Sequence, residues 1–332
     1  MTMSLYQSHI RKTIQKDIYQ KPSFTLHLFG KDYFGTIKTK KIGPITLKRY
    51  QILGIELPKD HKEISKAIQK IKSEFGHHWT DIFFQRGVTT SIQTFDVKDI
   101  DNELASSLRD TRLSLRTHFK EDYHLIHSFR ENLPESNIII DITKTNEELL
   151  REMNKSSRVR VRKGIENGIT FRTLQEHEYQ KFYNKRQTTA DKKGFNTISE
   201  NQYTKLIKEL IQTKTGNVVI TEKDGEILAG SIVIYDDKNM VGLYGFADRT
   251  HNTIGGQQYL KFKTFERARE QGFTTFDLMG GAPTGFPEHE LTSVSAFKES
   301  IGGKKIEYTG NFDIILNPRL YKIFKRLFTL KK

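Results

Sequence analysis

The run Ile138-Ile139-Ile140-Asp141-Ile142 leads into Thr145-Asn146-Glu147-Glu148-Leu149-Leu150 and then Asn154-Lys155-Ser156-Ser157-Arg158-Val159-Arg160-Val161-Arg162-Lys163-Gly164. Its β-branched opening reads as a strand. Thr145, with Glu148 three residues on and Leu149, Leu150 and Met153 behind it, makes a capping box: hydroxyl and carboxylate each satisfy a backbone N–H at a helix start. The basic run begins where that helix ends. If it is helical, Arg158 and Arg162 lie one turn apart on one face, a spacing suited to phosphate oxygens, although a solvated basic helix has the same pattern. This succession places a boundary near residue 145.

Outward from this stretch, strand and helix patterns alternate. Toward the N-terminus, 24–29, 33–38 and 45–52 carry strand chemistry, 63–75 sets Ile64, Ala67, Ile68 and Ile71 at helical spacing, and 81–85 reads as the next strand. Toward the C-terminus, 169–173 is a strand, 178–189 and 203–211 are helices, and 218–222, 227–235 and 240–246 are strands. Lys223-Asp224-Gly225-Glu226 is a hairpin turn between the first two of these. Residues 255–271 read as a helix, 275–279 as a strand stopped by Gly280-Gly281, 305–308 as a strand and 318–330 as a terminal helix. The pattern predicts an α/β (α+β) chain of two units, 1–145 and 146–317. The length of 332 residues agrees, at roughly 150 residues per domain. Both could be divergent copies of one α/β unit.

The net charge of +14 sits at the ends: residues 1–50 hold 10 basic and 2 acidic side chains, residues 301–332 hold 8 and 2, and the stretch between them balances. Lys40, Lys41, Lys48 and Arg49, with Lys322, Lys325 and Arg326, are the candidate patch for a polyanion such as RNA, a nucleotide-linked substrate or an anionic membrane surface. Solvated lysines would give the same count. Leu320, Ile323, Phe324, Leu327 and Phe328 add an apolar stripe to the terminal helix, suited to packing on a core or resting on a membrane.

Several classes are excluded. With no cysteine, the chain has no disulfide framework, thiolate metal site, Fe–S cluster or cysteine nucleophile, and it fits a reducing compartment. No run approaches the ~18 apolar residues of a membrane span, and residues 1–12 lack the apolar core of a secretory signal. Gly302-Gly303-Lys304 is followed by Lys305 where a phosphate-binding loop needs Ser or Thr, and no zinc-protease, hydrolase or dinucleotide signature occurs. His124, His127, His77 and His78 read as surface or packing residues, with no carboxylate placed to complete a metal site.

Two further segments are harder to read as scaffold. Gly255-Gly256 open a helix, where free N–H groups and the helix dipole favour an anion. Acetyl-CoA-dependent N-acetyltransferases use such a turn, with Gln or Arg three residues before the first glycine and Gly or Ala two after it. Asn252 and Gln257 stand there in this chain, which disfavours coenzyme A. The other segment is Ser295-Ala296-Phe297-Lys298-Glu299-Ser300-Ile301-Gly302-Gly303.

In order, Ile139-Ile140-Asp141-Ile142, Glu147-Glu148-Leu149-Leu150, Ser157-Arg158 to Arg162-Lys163, Gly168, Thr189-Ala190-Asp191-Lys192-Lys193-Gly194-Phe195, Leu243-Tyr244-Gly245, Gly256 to Leu260, Phe276-Asp277 with Gly280-Gly281, Phe297-Lys298 to Gly302-Gly303 and Asn317-Pro318 to Tyr321 form a recognisable series. The chain resembles the FemABX family of non-ribosomal peptidyltransferases, clearly over 138–325 and faintly before. The resemblance implies two tandem GNAT-like (acyl-CoA N-acyltransferase-like) domains, with 318–332 returning to the first. That return would join the two charged ends on one surface.

The resemblance also implies an aminoacyltransferase that moves an amino acid from aminoacyl-tRNA to the stem-peptide amine of a peptidoglycan precursor, UDP-linked or lipid-linked, in interpeptide bridge formation. It implies aminoacyl-tRNA as co-substrate, no metal and no coenzyme A. A cytoplasmic monomer is expected, at the inner face of the membrane if the acceptor is lipid-linked. The family's catalytic lysine matches Lys298, beside Phe297; its ammonium would stabilise the oxyanion formed when an amine attacks the ester. Arg158 and Arg162 would suit precursor or tRNA phosphates, Tyr244 would line the cleft, and Tyr203, Gly255 and Gly256 complete the substrate-binding set.

The chain departs from the family at Gln7-Ser8, which lacks the following tryptophan, and at Ile52-Leu53-Gly54-Ile55, which replaces an Arg-Gly-Pro loop. The span from Tyr203 to Gly216 leaves no room for the helical-hairpin arm of some members, so the armless type is expected. Two other classes stay open: a GNAT-fold N-acyltransferase using acyl-CoA on a cell-envelope sugar or peptide amine, and a non-catalytic RNA-binding protein.

Overall fold

The computed structural model describes residues 12–42, 45–55, 61–75, 79–84, 93–129, 133–193, 197–248, 254–308 and 310–329. Gln7-Ser8, His77, His78, Gly194-Phe195 and Asn252 lie outside the described residues, as do the side chains of Lys40, Lys41, Phe324, Leu327 and Phe328. The strands are β1 (Ser23–Leu28), β2 (Lys31–Ile42), β3 (Ile45–Leu53), β4 (Trp79–Phe84), β5 (Gln93–Asp96), β6 (Leu125–His127), β7 (Ser136–Asp141), β8 (Thr170–Thr173), β9 (Gly216–Lys223), β10 (Glu226–Asp236), β11 (Asn239–Ala247), β12 (Thr275–Gly281), β13 (Lys304–Glu307) and β14 (Gly310–Ile314). The helices are α1 (His61–Phe75), α2 (Asn102–Tyr123), α3 (Asn146–Glu152), α4 (Lys155–Glu166), α5 (Tyr179–Lys193), α6 (Glu200–Gln212), α7 (Gly256–Glu270), α8 (Thr292–Glu299) and α9 (Pro318–Thr329).

The first sheet has the order β1-β2-β3-β4-β14-β6, with β3 and β4 parallel across the α1 connection. Ile64, Ala67, Ile68 and Ile71 form the buried stripe of α1, as their spacing predicts, and pack with Leu26, Ile52, Phe119 of α2, Phe312 and Ile314. The second sheet has the order β5-β13-β7-β12-β11-β10-β9-β8. Alternation along β9 feeds two cores: Val219 joins Ile138, Ile140, Leu149, Met153, Val161 and Phe265 under α3, α4 and α7, whereas Val218 and Ile220 join Phe182, Leu206 and Leu210 under α5 and α6. The π-helical turn Ile14–Ile18 covers this second core, burying Ile14 and Ile18.

The sheets correct the boundary expected near residue 145. β5 and β7, at 93–96 and 136–141, are strands of the second sheet, and β14, at 310–314, is inserted between β4 and β6 of the first. Strand pairing across long sequence separations overrides the local composition change that suggested the cut. A buried polar cluster joins the two sheets. Arg112 of α2 donates to Glu135 at 2.9 Å and to Glu307 at 2.6 Å, and Arg116, His127 and the Asn311 N–H also reach Glu135.

α9 lies against the first sheet, where the Tyr321 hydroxyl donates to Asp313 Oδ2 at 2.8 Å. Arg49 shares that face and is 3% exposed, so it is not part of a surface patch. Lys48 is exposed, but successive strand side chains point to opposite faces, which turns it away from α9. Lys322, Lys325 and Arg326 are exposed on α9.

Candidate active site

β11 and β12 pair in parallel only through Asn239↔Thr275, Met240↔Phe276 and Val241↔Asp277, although β11 runs on to Ala247 and β12 to Gly281. Beyond Val241 the strands part. The wedge between them opens into a cavity of about 840 Å³. Both strands are irregular there: the β10–β11 register shifts between Gly230 and Ile232, the β12–β7 register shifts between Asp277 and Gly280, and Tyr244 (φ 47°) and Met279 (φ 58°) adopt left-handed backbone. Bulges of this kind re-aim side chains and free backbone groups.

At the β12 bulge, Asp277 accepts from the Met279 N–H at 2.6 Å and from Asn137 Nδ2 at 2.9 Å, which fixes the turn. The turned carbonyls of Met279 and Gly280 then accept from Lys298 Nζ at 2.9 and 2.5 Å. These occupy two of the three donors of the ammonium. Lys298 projects from α8, beside Phe297, and both line the cavity. Burial pushes the Lys298 amine down to about 8, with Asp277 pulling the other way. Ser157 and Ser300 meet at 2.9 Å between their hydroxyls, and the Asn154 N–H donates to Ser300 O, tying the end of α8 to the start of α4.

Lys261 enters the cavity from α7, with its Nζ 5.4 Å from the centre of the Phe276 ring. Burial and then the neighbouring Lys298 charge push its amine down to about 8. Arg160, Lys185, Arg186 and Lys192 make the rest of the wall basic, and Lys185 pairs with Asp248 at 3.2 Å. Tyr244 lines the cavity, its hydroxyl 3.1 Å from that of Tyr19.

The other sequence candidates stand outside this wall. Tyr203 is buried behind Tyr244, donating to its carbonyl at 3.2 Å, and burial raises its hydroxyl above the usual range despite Arg186 beside it. Arg158 turns back to the Met153 carbonyl at 2.6 Å and Arg162 is exposed, so Arg160 is the arginine of α4 that lines the cavity. The pair one turn apart shares a face, and Arg160, about 200° further round, looks the other way. Gly255 and Gly256 serve close packing: a Cβ on Gly255, whose φ is +92°, would stand 1.9 Å from Arg160 O, and one on Gly256 would stand 2.9 Å from Leu228 Cβ. Sequence reading missed Arg160, Lys185, Arg186, Lys192 and Lys261. Of these, Arg160 and Lys192 lay in stretches already singled out.

A family model described as the FemAB family matches residues 123–215 and 211–328. The chain belongs to the FemAB family. FemAB relatives include the lipid II:glycine glycyltransferase of Staphylococcus saprophyticus, 27% identical over 157 residues, covering 46% of this chain and 36% of that protein. The enzyme of the same name from Staphylococcus epidermidis is 27% identical over 152 residues, covering 45% and 35%. The chain thus spans about a third of the length of these curated relatives. Among solved structures, FemX superposes with a TM-score of 0.66 at 15% identity, over 97% of this chain and 94% of that one, so the expected mixed α/β fold is the fold found. A conserved protein of unknown function from Bacteroides thetaiotaomicron shares it with a TM-score of 0.53 at 10% identity, over 95% and 92%.

Proposed function

We propose that this FemAB member transfers an amino acid from aminoacyl-tRNA to the stem-peptide amine of a peptidoglycan precursor, as a step of interpeptide bridge formation. The observation that carries the reading is Lys298: an ammonium fixed by the Met279 and Gly280 carbonyls at the wall of a basic cavity. Aminolysis of an ester develops negative charge on the carbonyl oxygen, and a preorganised N–H donor aimed at that charge is commonly the largest catalytic term. The remaining N–H of Lys298 is that donor. Phe297 lines the cavity beside it. Arg160, Lys185 and Lys192 offer charge for the phosphates of the carrier or the tRNA end.

The curated FemAB relatives named for lipid II and glycine support a peptidoglycan-precursor acceptor, and no helix among the described residues is long and apolar enough to cross a membrane. Incubation with a panel of labelled aminoacyl-tRNAs and with UDP-linked and lipid-linked precursors tests the proposal. Label appearing on one precursor class is the expected result; no transfer to either, with acetyl-CoA raising the melting temperature, overturns it.

A further inference from the structure

Among the described residues, Lys261 has no hydrogen-bond or ion-pair partner. Lys185 has Asp248, Lys298 has two carbonyls and Tyr244 has Tyr19. The Lys261 amine instead lies near the Phe276 ring, 3.4 Å from where a Cβ on Gly242 would stand. Its partner must come from the cavity. We propose that Lys261 is the general base of the transfer reaction and that Lys298 is its charged counterpart, an inference that rests on the proposed function.

The environments of the two amines divide the roles. Charged groups facing Lys261 are Lys298 from α8, Arg160 from α4, Lys185, Arg186 and Lys192 from α5, and Asp248 beyond β11, already paired with Lys185; Asp277 of β12 acts on Lys298. Lys298 has carbonyl oxygens and a carboxylate to favour its charged form, whereas Lys261 has only the weaker attraction of the Phe276 ring face, set against a largely cationic surround and a like charge beside it. Two like charges in one desolvated site titrate as a pair, and the proton stays where acceptors hold it. Both amines are lowered to about 8, and the two carbonyls and the Asp277 carboxylate make Lys298 the member that keeps its proton and Lys261 the one that gives it up first.

The acceptor enters as a free amine, its nitrogen attacks the ester carbonyl carbon, and the carbonyl oxygen takes the negative charge beside Lys298. The new ammonium gives one proton to Lys261 Nζ. When the intermediate collapses, the bond to the ribose oxygen breaks and Nζ returns that proton to the leaving oxygen.

Lys261→Met and Lys261→Arg, with wild type as reference, are assayed for transfer on either side of pH 8, with kcat and KM separated. A general base commonly contributes 10²- to 10⁴-fold, so kcat of Lys261→Met falls on the order of 10²-fold or more with KM little changed. The wild-type rise of kcat/KM through about pH 8 is lost with it. In the folded, reductively methylated protein, the isotope-labelled methyl resonance absent from Lys261→Arg titrates near 8, and moves up in Lys298→Met as the like charge goes. A raised KM with unchanged kcat, or a resonance titrating at the ordinary lysine value, overturns the proposal while wild-type turnover leaves the proposed function standing. A wild type without turnover overturns both together.

Discussion

Replacing Lys298 by methionine keeps most of the aliphatic volume and removes the charge. In the folded protein the Lys298 amine is lowered from 10.5 to about 8. At about 1.4 kcal/mol per unit, burying that ammonium costs about 3 kcal/mol at neutral pH. Methionine relieves this but leaves the Met279 and Gly280 carbonyls without their donor, at roughly 1 to 3 kcal/mol each. The terms oppose each other at similar size, so the variant stays folded at pH 7. Transfer has no such compensation and falls on the order of 10²-fold or more.

The pH dependence of stability gives an independent check of the same burial. Because the folded pKa lies below the unfolded one, the unfolded chain binds more protons between them, and the wild type gains stability as pH rises through that window. Urea unfolding of both proteins should show the wild type gaining about 3 kcal/mol on the variant between pH 8 and 10.5. A folded Lys298→Met protein that turns over charged tRNA and precursor at near the wild-type rate refutes the mechanism.

Glu135→Gln is expected to destabilise the fold by about 3 to 5 kcal/mol in chemical denaturation, because it strips charge from a buried site contacted by Arg112, Arg116 and His127. These partners hold the Glu135 carboxyl far below its ordinary 4.5, so its contribution is complete above about that pH and is lost as acid protonates it; the variant should show a flatter acid limb. Gly255→Ala should cost at least about 2 kcal/mol by the same measurement, since the residue is left-handed and its Cβ would meet the Arg160 carbonyl. Replacing Lys322, Lys325 and Arg326 together by glutamine should weaken tRNA binding and flatten its salt slope by roughly 0.7 to 0.9 for each phosphate no longer neutralised, with Lys48→Gln adding nothing further. Unchanged tRNA affinity with abolished flotation on anionic liposomes would assign α9 to the membrane instead.

Local signals were legible wherever a residue's role is fulfilled within a few positions of the chain. The capping box is formed as read, with the Glu148 N–H on Thr145 Oγ1 at 3.3 Å and the Thr145 N–H on Glu148 Oε2 at 2.8 Å. The Asp224-Gly225 turn has both residues at positive φ, as a tight hairpin of this hand requires. α2 was not legible, because its buried positions include Arg112, whose carboxylate partners lie 23 and 195 residues away. β14 was hidden for the same reason: Phe312 and Ile314 alternate with Asn311 and Asp313, polar residues that are buried, Asn311 against Glu135 far back along the chain. In the site, Lys298 was found because the Phe297-Lys298 to Gly302-Gly303 stretch matches the family's lysine motif. Lys261 was not, since a lysine among the apolar residues of α7 looks like any long side chain reaching for the surface. Gly164 of α4 is required by Tyr259, whose Cβ would be 2.7 Å from an alanine methyl.

The exchange of strands between the two sheets bears on how the chain is made. While the ribosome works, the N-terminal half emerges without β14, the strand that separates β4 from β6, and β6 has β14 as its partner in the sheet. Closing that gap waits for some 180 further residues to be synthesised, at roughly 5 to 20 residues per second. During those seconds two unpaired strand edges are open to wrong partners, a recognised route to aggregation. Nascent chains of this protein halted before residue 310 should therefore be protease-sensitive across 79–127 and bind holdase chaperones there, and release of both should come together once β14 clears the exit tunnel.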